Sequence, residues 1–251
     1  MEKIEDFKKR IIVALDVGGK KEALSLVSAL EETEIFKIGL ELFTAEGPSL
    51  LKEIKNRRKK IFLDLKLHDI PNTVAGAVRI GVRHGVQMMT LHSSGGLEMM
   101  ARAADSAAQE AEKEKTIKPL LLAVTVLTSL KDAQLQEIGI SVNIPEQVLR
   151  LAKLAKSAGM DGVVCSPQEI EVIRKEMGAG FLVVTPGIRP SWAASDDQKR
   201  IMTPAQAIEK GADYLVIGRP IIKAPSPQRA FQKIIEELNS SQYGSSGKNC
   251  S

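Results

Sequence analysis

The stretch Ile61–Thr73, IFLDLKLHDIPNT, decides how the rest of this chain is read. It opens as a β-strand, and side chains on a strand alternate between two faces. Ile61, Leu63, Leu65 and Leu67 share one face, an aliphatic strip suited to packing beneath helices. Phe62, Asp64, Lys66 and His68 share the other. A strand buried on both faces ordinarily carries Val, Ile or Leu on both; here a carboxylate and an ammonium take that place. Charge is costly to bury unless paired. The strand therefore holds either a buried structural ion pair or part of a reactive site.

Outward from this stretch, strand and helix alternate. Before it, Arg10–Val17 is a β-branched run ending near Asp16, and Lys20–Glu31 has helical spacing. Phe36–Leu42, FKIGLEL, is the next strand, setting Lys37, Gly39 and Glu41 against Phe36, Ile38, Leu40 and Leu42, and Glu46–Asn56 reads as helix. After it, Pro71 stands just inside a helix reaching about His84; proline suits a first helical turn. Further strands are expected at Met88–Ser93, Pro119–Leu127, Gly162–Pro167, Phe181–Ile188 and Tyr214–Ile221. The matching helices are Leu97–Lys113, Ile144–Ala158, Gln168–Met177, Thr203–Gly211 and Ser226–Asn239. The connection Thr128–Asn143 has room for a short helical turn at Asp132–Glu137.

Strict alternation of strand and helix implies a parallel sheet. Eight such units in about 240 residues fit one closed (β/α)8 TIM barrel. An open doubly wound sheet is the alternative, but no G-x-G-x-x-G follows the first strand. One domain is expected over residues 1–239, with a Ser/Gly/Asn-rich, disordered tail over 240–251.

Composition narrows the function. Of 251 residues, 43% are hydrophobic, enough for a sizeable core. The net charge of +4 is spread along the chain and aromatics are only 4%, which argues against a nucleic-acid binder and suits an anionic small molecule. Cys165 and Cys250 are far apart and show neither a disulfide framework nor zinc spacing, so a reducing cytoplasm is expected. The start, MEKIEDFKKR, lacks the apolar core of a signal peptide, and no apolar run is long enough to span a membrane.

In a barrel of this kind the active site lies at the C-terminal ends of the strands. Asp16, Lys37, Asp64 and Lys66 collect there from three neighbouring strands, with Asp69 just beyond, and the fifth strand runs into Thr128 and Ser129. A structural barrel fills these positions with branched aliphatics. A second cluster, Thr185–Arg189 and Ile217–Pro220, ends strands seven and eight, where many barrels bind phosphate. Gly218 allows close backbone approach, Arg189 and Arg219 offer forked donors, and Gln198 can add a neutral one. The histidines are weaker signals: His92 is an inward position or a core histidine, His68 is inward or interfacial, and His84 ends a helix. No His/Cys/Asp set has metal spacing.

Asp64–Thr73, DLKLHDIPNT, resembles the signature of the orotidine 5′-phosphate decarboxylase family. The resemblance extends to ALD at Ala14–Asp16, KIG at Lys37–Gly39, TVLTS at Thr125–Ser129, TPGIR at Thr185–Arg189 and IGRPI at Ile217–Ile221. Related barrels such as 3-keto-gulonate 6-phosphate decarboxylase share D-x-K-x-x-D, but the magnesium-dependent ones carry an acidic ligand where this chain has Lys37. The resemblance implies conversion of orotidine 5′-phosphate to UMP and CO2 in pyrimidine biosynthesis, with no cofactor and no metal. It implies that Asp16 and Lys37 hold the ribose hydroxyls, that Asp64 lies near the substrate carboxylate, and that Lys66 donates the proton to C6. Thr128 would meet the pyrimidine, with Ser129 as a further candidate, and Arg189, Gln198, Gly218 and Arg219 the phosphate. Asp69 and Thr73 would reach the neighbouring site of a homodimer. Another phosphosugar barrel enzyme and a non-catalytic phosphate-binding barrel are the competing readings.

Overall fold

Eight short strands pair in parallel, each with the next in sequence, and the last returns to the first. They are β1 (Ile11–Ala14), β2 (Ile35–Gly39), β3 (Lys60–Leu67), β4 (Met88–His92), β5 (Leu120–Val124), β6 (Gly162–Val164), β7 (Leu182–Thr185) and β8 (Tyr214–Ile217). The computed structural model describes residues 6–193 and 202–245. The expected (β/α)8 barrel is therefore present, and closure leaves the sheet without an open edge.

Strand alternation builds two cores. Ile12, Ala14, Ile35, Phe62, Met88, Leu122, Val184 and Val216 fill the barrel interior. Their neighbours in sequence, such as Ile11, Val13, Phe36, Leu63 and Leu121, face out and join the apolar faces of the helices. Those helices are α1 (Lys20–Ala29), α2 (Leu40–Glu46), α3 (Ser49–Asn56), α4 (Pro71–His84), α5 (Gly96–Lys113), α6 (Asp132–Glu137), α7 (Ile144–Ser157), α8 (Ile170–Met177), α9 (Pro204–Glu209), α10 (Arg219–Ile222) and α11 (Pro227–Ser245). Among the described residues no helix is long and apolar enough to cross a membrane.

Several element ends differ from expectation. The second strand stops at Gly39, and Leu40–Leu42 open α2; α2 and α3 are separate because Gly47, at φ +62°, and Pro48 divide them. The eighth strand stops at Ile217, and Gly218 caps α10, which takes Arg219, Pro220 and Ile221. Strand and helix readings coincide over such short apolar runs, and turn residues decide between them. At the other end α11 continues past Asn239 to Ser245, with the Ser240 hydroxyl donating to the Glu236 carbonyl; residues 246–251 lie outside the described residues.

Candidate active site

The C-terminal ends of the strands surround a cleft with a cavity of about 250 Å³, small-molecule rather than polymer size. Ala14, Phe62, Val164 and Val216 form its apolar floor, continuous with the barrel interior. Asp16, Lys37, Asp64, Lys66, Thr128, Arg189, Gly218 and Arg219 line its walls. So eight of the residues singled out from the sequence meet in one place, although they come from six strands and the loops after them.

Asp64 is the hub of the polar wall. Both of its oxygens accept from the Lys66 ammonium, each at 2.9 Å. Lys37 Nζ stands 3.6 Å from Asp64 Oδ2 and donates to Asp16 Oδ1 at 3.0 Å. The Thr90 hydroxyl donates to Asp64 Oδ1 at 2.9 Å. Asp64 and Lys37 are each only 9% exposed. Two carboxylates and two ammoniums thus form an alternating chain, Asp16–Lys37–Asp64–Lys66. Its net charge is zero, so each buried charge is offset by a neighbour.

Local backbone explains how β3 brings both charges to the cleft. Leu63 pairs with Met89 and Leu67 with Leu91, so Asp64, Leu65 and Lys66 stand opposite Thr90 alone. This is a bulge with two extra residues. Because the insertion is even, the alternation of faces survives it, and Leu65 and Leu67 still pack outward. Within the bulge Lys66 takes φ +50°, a left-handed conformation costly for a residue with a β-carbon. Its amide, displaced from the regular ladder, donates to Thr90 Oγ1 at 2.9 Å.

On the side of β7 and β8, the chain after Thr185 turns through Gly187, at φ +79°, and the Arg189 backbone N–H donates to the Met202 carbonyl at 2.9 Å. Arg189 is buried and Arg219 half-buried. A β-carbon on Gly218 would stand 3.1 Å from Asp16 Oδ2 and 3.3 Å from Ala14 Cβ, so glycine there gives the Asp16 side chain its room. Arg189 and Arg219 line the cleft from the loops after β7 and β8, and the Asp/Lys chain lines it from β1 to β3. A ligand with an anionic group suits the two guanidinium side chains.

Other sequence candidates fall elsewhere. Asp69 and Thr73 are exposed beside the cleft rather than in it, and Asp69 Oδ1 accepts from the Ile70 amide at 2.7 Å. Ser129 is exposed and does not line the cleft. His92 is half-buried, and its ring lies 5.5 Å from that of the exposed His68, tilted by 40°. Burial, then the positive surroundings of His68 and Lys66, lower the His92 pKa against the opposing pull of Asp64. Gln198 lies outside the described residues. Among the described residues no group of three or more His, Cys, Asp or Glu side chains is placed to hold a metal ion. The reading of the sequence missed Thr90; counting by twos from Met88 does put Thr90 inward, but a threonine in a strand gives no warning of its role.

Comparison with known proteins gives a consistent result. The model of the family described as "Orotidine 5′-phosphate decarboxylase / HUMPS family" matches residues 9–234. A Trichlorobacter lovleyi protein named orotidine 5′-phosphate decarboxylase is 51% identical over 235 residues, which cover 93% of this chain and 97% of that one. One of the same name from Nostoc is 49% identical over 231 residues, covering 91% and 97% of the two chains. A crystal structure of orotidine 5′-phosphate decarboxylase from Lactobacillus acidophilus superposes with a TM-score of 0.81 at 38% identity, covering 92% of this chain and 99% of that one.

Proposed function

The chain belongs to the orotidine 5′-phosphate decarboxylase / HUMPS family, and we propose that it converts orotidine 5′-phosphate to UMP and CO2 in pyrimidine biosynthesis. The observation that carries this reading within the family is Lys37, which joins Asp16 to Asp64 on the wall of the cleft. An ammonium at that position extends the Asp/Lys chain and does not supply the acidic ligand expected of the magnesium-dependent branch.

Loss of CO2 leaves negative charge at C6 of the pyrimidine, and the ring offers no ready electron sink. Charge must then be met where it develops, by groups already in position. Lys66 is the group we assign to that task. Its ammonium is held by both Asp64 oxygens, stabilises the developing carbanion and delivers the proton to C6. Asp64 faces the departing carboxylate. Asp16 and Lys37 bind the ribose hydroxyls, and Thr128 meets the pyrimidine edge. Arg189, Gly218 and Arg219, with Gln198, take the phosphate. Contacts to a remote phosphate supply binding energy that is used at the reacting centre.

The proposal includes a cytoplasmic enzyme, one barrel domain that takes in α11 to Ser245, and a homodimer in which Asp69 and Thr73 complete the neighbouring site. Leu40, Ile70 and Leu97 support the last point. They are large, exposed and apolar, they follow β2, β3 and β4 in the chain, and Ile70 adjoins Asp69 in sequence. Such side chains suit a covered interface.

The test is direct. Purified, EDTA-treated protein should form UMP from orotidine 5′-phosphate. No UMP would overturn the proposal, and activity regained only with magnesium would favour the other branch. Lys66→Ala should lose at least about a thousandfold in kcat while still binding UMP. Turnover close to wild type would remove Lys66 from the role of proton donor.

A further inference from the structure

The bulge in β3 leaves one functional relationship unassigned. Thr90 is fully buried, at 0% exposure, and is the one residue of β4 opposite Asp64, Leu65 and Lys66. Its hydroxyl does two things at once. It accepts from the Lys66 backbone amide at 2.9 Å and donates to Asp64 Oδ1 at 2.9 Å. A hydroxyl has one proton to give, and a carboxylate can only accept. Its orientation is therefore fixed by its partners: the proton points at Asp64 and a lone pair at the Lys66 amide.

We propose that Thr90 is a positioning residue for the decarboxylation, holding both members of the Asp64–Lys66 pair through one hydroxyl. The Lys66 amide has left the regular ladder, and a bulge of this kind needs a substitute acceptor. Thr90 Oγ1 takes the place of that acceptor and so holds Lys66 at φ +50°. The same atom fixes which way the Asp64 carboxylate faces, and Asp64 in turn fixes the Lys66 ammonium. Thr90 lines no part of the cleft, so it acts without touching the substrate. Reaction rate depends on holding the reacting groups to within a fraction of an ångström, whereas binding of the phosphate end does not depend on this contact.

The inference rests on the decarboxylase reading, and the experiment separates the two. Wild type, Thr90→Val and Thr90→Ser are compared for kcat, KM and UMP affinity, with thermal unfolding followed in parallel. Valine keeps the shape and removes the hydroxyl; serine keeps the hydroxyl. Thr90→Val should lose about tenfold or more in kcat, with KM and UMP affinity within about threefold of wild type, and Thr90→Ser should recover most of the loss. Wild-type kcat in Thr90→Val, or an equal loss in valine and serine variants, would overturn the role of the hydroxyl. So would a lowered unfolding temperature with kcat intact, the signature of a purely structural residue. If Thr90→Val does not fold, Thr90→Ala is compared with Thr90→Ser by the same criteria. Absence of turnover in wild type would overturn the decarboxylase reading, and this inference with it.

Discussion

At the scale of single residues, the titratable group with a resolved shift beside the cleft is His92. Burial is the largest cause, and His68 and Lys66 act in the same direction. The folded state therefore keeps His92 neutral to a lower pH than the unfolded chain, whose imidazole titrates near 6.5. As pH falls below that value the unfolded state takes up the proton first, so the contribution to stability is complete above pH 6.5 and is lost as pH drops toward the folded pKa. Carboxylates add their own acid sensitivity at lower pH, and the informative quantity is a difference. The drop in unfolding temperature between about pH 7.5 and 5.5 should be smaller in His92→Asn than in wild type, at equal protein concentration. Parallel curves for the two proteins would mean that His92 titrates alike in both states.

Among elements, β6 is the shortest strand of the barrel and the most tightly constrained by a neighbour. Gly162 pairs with Leu182 of β7, and a β-carbon on it would run into the Leu182 carbonyl oxygen and β-carbon. Backbone in a closed barrel cannot step aside as a flexible side chain does. Gly162→Ala should cost about 1–3 kcal/mol, read as a lower denaturant midpoint at unchanged slope. It lies at the N-terminal end of its strand, away from the cleft, so kcat of the folded variant should stay at the wild-type value. An unchanged midpoint would mean that β6 and β7 separate more readily than their pairing implies. Elements such as β6 also mark how far the sequence could be read. Apolar runs marked every strand, and alternation put Asp64 and Lys66 on the inner face, because period two is a property of any strand. It could not reveal the bulge, since two extra residues leave the parity untouched. Nor could it find where the second and eighth strands end. FKIGLEL and YLVIGRPI keep their apolar spacing across Gly39 and Gly218, and only the turn at each glycine converts strand into helix.

For the molecule as a whole, the open question is which subunit's site Asp69 serves. The cleft of one chain is lined by Asp64 and Lys66 but not by Asp69 or Thr73, which are exposed, as is Ile70 beside Asp69 in sequence. The sequence alone linked Asp64, Lys66 and Asp69 through one motif, D-x-K-x-x-D, and spacing cannot say whether the last acid turns back to its own lysine or outward to a second chain. A two-fold dimer makes the alternatives distinguishable, because each interface residue is then repeated in the partner. Lys66→Ala and Asp69→Asn should each be nearly inactive alone. If Asp69 serves the neighbouring site, a dimer of one variant with the other has one site with wild-type Lys66 and the partner's wild-type Asp69. Its second site lacks both. Unfolding the two variants together and refolding them should make about half the dimers hybrids, so about a quarter of wild-type activity should return. If Asp69 serves its own chain, every site in every dimer lacks one group and no activity returns. The measurement is turnover of orotidine 5′-phosphate before and after mixing, with each variant refolded alone as the control. A silent mixture, in which hybrids are demonstrably present, would confine the site to one chain and leave the exposed apolar side chains without a catalytic purpose.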